Sequence, residues 1–72
     1  MKDKVWYRGD LTVQDNGESQ WFVAQTLATS ADGAIEQIEK QLPRKWHIPM
    51  ISVGPILEPL KPEELGWQSK TL

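Results

Sequence analysis

The sequence predicts an α+β domain of order β-β-α-β: a three-stranded sheet, order 2-1-3, with one helix packed on one face and an irregular C-terminal tail. Three observations predict it. Apolar residues alternate with polar ones on both sides of an Asn-Gly pair. A helical apolar stripe runs between a Ser/Thr cap and a proline. A short β-branched run follows, bracketed by two further prolines.

Residues 5–13 read as the first strand. Val5, Tyr7, Leu11 and Val13 share one face and Trp6, Arg8, Asp10 and Thr12 the other. Gly9 sits on the apolar face, where it either weakens the strand or lets another element approach closely. The stretch QDNGES supplies Asn16-Gly17, two residues that tolerate the left-handed conformations of a tight hairpin turn. Residues 20–28 form the second strand, with Trp21, Val23, Gln25 and Leu27 on one side and Phe22, Ala24, Thr26 and Ala28 on the other. Both sides are fairly apolar, so alternation alone leaves open which meets the core.

TSADGAIEQIEKQL reads as a short helix. Thr29 or Ser30 caps the free N–H groups, and Asp32 lies in the first turn, where the helix dipole favours an anion. Ala31, Ala34, Ile35, Ile38 and Leu42 make the buried stripe; Glu36, Gln37, Glu39, Lys40 and Gln41 face outward. Pro43 ends the helix near Leu42. A third strand follows over residues 50–53, and Pro49 and Pro55 favour a sheet edge for it. A right-handed crossover places this strand beside the first and parallel to the second, which leaves strand two as an open edge. Residues 1–57 then form one small domain. Residues 58–72, with two more prolines and mixed charges, form a tail that packs back or binds a partner, with at most one turn at residues 63–65.

Composition narrows the function classes. Seventy-two residues suffice for one small core. The chain has no cysteine, which excludes disulfides, thiolate metal sites and thiol nucleophiles and fits a cytoplasmic setting. No window approaches the roughly 20 apolar residues of a membrane span, so no membrane role is expected. Eight Lys and Arg against ten Asp and Glu give a net charge of −2, which argues against a dedicated nucleic-acid binder.

The segment KQLPRKWH nevertheless offers a nucleic-acid reading. Lys40, Arg44 and Lys45 could contact the phosphates of a single-stranded nucleic acid or RNA, with Trp46 or His47 as a stacking surface, and Lys2, Lys4 and Arg8 would have to join them for a full footprint. Two features oppose it. The basic residues at the start of the first strand, Lys2 and Lys4, lie at the opposite end of the sheet from Arg44 and Lys45. Cations at a helix C-terminus are also favoured by the helix dipole alone.

Catalytic chemistry finds little support. His47 is the single histidine, and Ser19, Ser30, Ser52 and Ser69 have no activating context. Asp32, Glu36 and Glu39 lack convergent ligands from another element, and no glycine pattern makes a phosphate loop. No cofactor and no enzymatic activity are expected.

Four tryptophans, with Tyr7 and Phe22, exceed what one helix on a small sheet buries easily. Trp6, Trp21, Trp46, Leu65 and Trp67 are therefore the candidate protein-contact residues, since rigid aromatics anchor interfaces at low entropic cost. Trp67 either caps the core or forms a recognition segment with Leu65. The expected function is a small adaptor or inhibitor that occupies another protein's surface, with homodimerisation through the open strand edge as a further expectation. Free-standing domains of this size are common in bacteriophage and bacterial genomes, an association of size alone.

Overall fold

The computed structural model describes residues 3–68. Strands β1 (Val5–Asp15) and β2 (Glu18–Ala28) form an unbroken antiparallel hairpin, in register from Val5 opposite Ala28 to Asp15 opposite Glu18. Asn16 and Gly17 connect them at φ of 52° and 82°. Two consecutive positive φ values give the turn whose twist matches the flanking strands, and Asn-Gly adopts them at least cost.

Helix α1 (Ala31–Gln41) starts where the Ser30 hydroxyl accepts the Gly33 N–H at 3.1 Å. It ends at Leu42, whose extended backbone is the conformation a following proline demands. The helix covers the face carrying Tyr7, Gly9, Leu11 and Val13 together with Phe22, Ala24, Thr26 and Ala28, because these residues oppose one another across β1 and β2. Ala34 and Ile38 of the expected stripe are buried, while Ile35 and Leu42 are half-buried and Ala31 is exposed. The close approach occurs at Gly9: a Cβ there would lie 2.7 Å from Ile38 Cδ1. Gln37 does not point outward as expected. Its side-chain oxygen accepts the hydroxyl of Thr26, a buried polar residue on the core face, at 2.7 Å.

Strand β3 (His47–Ile56) is longer than the expected 50–53 and pairs antiparallel with the other side of β1. Between Thr12 opposite Met50 and Gln14 opposite His47, β3 spends one more residue than β1. This bulge contains Pro49, and a bulge is one of the few sheet positions that spares a missing N–H. The edge position inferred from Pro49 and Pro55 is observed.

Among the described residues the sheet has four strands, not three, in the order β3-β1-β2-β4. The 2-1-3 arrangement stands within it, but the tail is not irregular. A 3₁₀ turn spans Pro62–Glu64, and β4 (Gly66–Gln68) pairs antiparallel with β2 at Trp21–Val23. The edge of β2 expected to be open is therefore covered over these residues. Three local constraints shape the end of this proline-rich segment. Lys61 N–H donates to the Glu64 carboxylate at 2.9 Å, Gly66 turns at φ 86°, and the Gln68 amide donates to the carbonyls of Glu64 and Gly66.

Since β3 and β4 lie at opposite edges, residues 57–65 must cross the sheet. Leu60 N–H donates to the Gln25 side chain at 2.6 Å, and Gln25 belongs to the face away from the helix. The crossing segment thus straps that face. This accounts for Val23, which lies on the same face yet is only 1% exposed.

Candidate functional site

The register of β4 sets Trp67 directly opposite Phe22, on the helix-covered side. Opposed residues on one face of an antiparallel pair are close enough for their side chains to interact. The connection from α1 to β3 contributes the third ring. Trp46 N–H closes a turn on the Pro43 carbonyl at 3.2 Å, and the indole packs against the buried cluster of Leu11, Val13 and Ile38.

The three rings pack pairwise. Centroids are 5.5 Å apart for Phe22 and Trp46, 4.9 Å for Phe22 and Trp67, and 5.1 Å for Trp46 and Trp67. Phe22 meets both indoles edge to face, the arrangement that brings a positive ring edge onto a negative ring face. Trp67 caps the core and remains 49% exposed, while Phe22 and Trp46 are half-buried. A large aromatic surface therefore reaches solvent on rings that are already fixed in place.

The remaining contact candidates lie elsewhere. Trp21 is half-buried on the strapped face and donates its indole N–H to Asp10 Oδ1 at 3.1 Å. The same carboxylate takes Arg8 through Nε and a terminal nitrogen, at 3.1 to 3.3 Å. With both side chains more than a third exposed, this ion pair fixes the Trp21 ring rather than adding much stability. Trp6 and Leu65 are half-buried. Phe22, absent from the candidates drawn from the sequence, sits at the junction of the aromatic cluster; only the tertiary return of β4 reveals its place.

The basic candidates are not brought together. Arg8 lies on the face away from the helix, engaged with Asp10, whereas Lys40 and Arg44 line a shallow depression with Glu36, Glu39 and Leu42. The two carboxylates offset positive potential where a phosphate would have to sit. Lys45 is exposed beside them, Trp46 belongs to the aromatic cluster, and Lys2 lies outside the described residues. His47 is exposed and opposes Gln14 at the hairpin end of the sheet. Among the described residues, no three His, Asp or Glu side chains converge in a way that could hold a metal ion. No described helix is long and apolar enough to cross a membrane. Comparison with known protein families, with curated proteins and with solved structures finds no match.

Proposed function

We propose that this chain is a non-enzymatic protein-binding module, an adaptor or inhibitor, whose contact with its partner is centred on Trp67 within the Phe22, Trp46 and Trp67 cluster. The observation that carries the reading is a tryptophan 49% exposed yet held by two neighbouring rings. A free indole on a flexible tail would lose rotamer and backbone freedom on binding. Here that ordering has already occurred during folding, so burial of the exposed half contributes more fully to affinity. The non-enzymatic part of the reading rests on residue types: a single histidine, no cysteine and no nucleotide-loop glycines.

The test is capture from lysate on the immobilised chain, with and without nuclease, comparing the native sequence with Trp67→Ala. A stoichiometric protein that survives nuclease and is lost with Trp67→Ala supports the reading. Retention that disappears on nuclease treatment, or that falls steeply with salt and on charge reversal at Arg44 and Lys45, refutes it in favour of nucleic acid.

A further inference from the structure

Among the described residues, the edge opposite β4 is the unpaired outer side of β3. We propose that the outer edge of β3 pairs antiparallel with β3 of a second copy, about a two-fold axis at Ser52. The argument starts from the hydrogen-bond phase of the sheet. A two-residue hairpin closed by Asp15 and Glu18 makes the odd residues of β1 bond to β2 and the even ones to β3. Arg8, Asp10 and Thr12 of β1 therefore engage Gly54, Ser52 and Met50 of β3. The N–H and C=O groups of Ile51 and Val53 consequently point away from the sheet, as does the carbonyl of Pro55. The absent Pro55 N–H agrees with this phase, since it leaves β1 without a missing donor.

The free edge thus presents two N–H donors, at Ile51 and Val53, between two prolines placed three residues either side of Ser52. Pairing about Ser52 sets Ile51 opposite the second copy's Val53, and Val53 opposite its Ile51. Each pair exchanges two bonds, so both donors of each copy are satisfied. At the ends Pro49 meets Pro55, where neither residue has a donor to lose. Shifting the register by one pair in either direction sets Ile51 or Val53 opposite a proline, which cannot return the bond.

Side chains fit the same axis. Residues on one face stay on one face in this pairing, so Met50, 64% exposed, lies opposite Gly54 of the second copy, around whose own Cβ position there is open space. β3 carries no Lys, Arg, Asp or Glu, the side chains that commonly keep sheet edges apart. Pairing uses the same β3 edge of both copies, an isologous contact that closes at two, and leaves β4 and the part of β2 beyond Trp21–Val23 at the outer edges.

The chain has no native cysteine, which allows a register-specific test. Ser52 is exposed and would face its own copy across a non-hydrogen-bonded pair with Cα atoms about 4.5 Å apart, within disulfide reach. Two copies of residue 50 would stand about 13 Å apart, beyond it. Sedimentation equilibrium of the native chain should show a mass rising with concentration to twice 8.2 kDa. Ser52→Cys should oxidise largely to a disulfide dimer, Met50→Cys should not, and Ser52→Lys should stay monomeric with an unchanged circular dichroism spectrum. A native mass fixed at 8.2 kDa up to millimolar concentration would overturn the proposal. So would a dimer that survives Ser52→Lys, or equal cross-linking at positions 50 and 52.

Discussion

Gly9→Ala tests the packing of the helix on the sheet at a single atom pair. The added Cβ would lie 2.7 Å from Ile38 Cδ1, about 1 Å inside the separation at which two carbons attract best. Ile38 is 1% exposed and clustered with Leu11 and Val13, so a turn of its terminal methyl away from the new Cβ has to be accommodated among packed neighbours. Overpacking of this kind costs roughly 1–3 kcal/mol. Restricting the unfolded chain by replacing glycine returns about 0.4–1 kcal/mol. A net loss of about 1–2 kcal/mol is expected. Ile38→Val removes the clashing methyl and alone should cost about 0.5–1.5 kcal/mol. In the double variant the clash is gone, so the two losses should fall short of additivity by the cost of the clash, roughly 1–3 kcal/mol. Gly54→Ala, with nothing near its Cβ, keeps only the unfolded-chain gain and should stabilise by about 0.4–1 kcal/mol. Urea unfolding followed by far-ultraviolet circular dichroism gives all four values. Strict additivity of Gly9→Ala and Ile38→Val, or a stabilising Gly9→Ala, would refute the close approach.

Gln37→Ala leaves the buried Thr26 hydroxyl without its acceptor and should cost about 1–3 kcal/mol, more than Thr26→Val, which removes the need for one; urea midpoints decide the order. Trp67→Ala should cost about 2 kcal/mol, about half the loss for a fully buried tryptophan, since about half of the ring surface is covered. Its effect on the thermal midpoint checks this. Gln25→Ala removes the acceptor of the Leu60 N–H and should speed amide exchange at Leu60, with little change at the Leu11 and Val13 amides. A chain ending at residue 57 loses β4 and the strap together; it should bind more of a hydrophobic dye than the full chain does, because Val23 and Phe22 are uncovered.

Much of this fold is written in local chemistry. Asn16-Gly17 sets the hairpin, Ser30 and Pro43 bound the helix, and the glycine on the apolar face of β1 admits Ile38. The prolines of β3 correctly point to an edge, because a residue without an N–H is tolerated there and not in the middle of a sheet. β4 is hidden from the same reasoning. A three-residue strand has no period to detect, and the segment before it is ordered by contacts distant in sequence, such as that between Leu60 and Gln25. Two features that depend on β4 escape the same reasoning, the covering of the β2 edge at Trp21–Val23 and the place of Phe22 in the aromatic cluster. Gln37 is a separate case: its helical position is polar and outward by pattern, and only the alignment of Thr26 beneath it turns the side chain toward the sheet.

The seating of Trp67 on Phe22 and Trp46 supports both the C-terminal strand and the proposed contact surface. Nuclear Overhauser spectroscopy on the full chain tests it directly, since the ring centroids lie 4.9 and 5.1 Å apart. Cross-peaks from the Trp67 indole to the rings of both Phe22 and Trp46 are expected. A Trp67 indole with random-coil shifts and no cross-peak to either ring would contradict the seating.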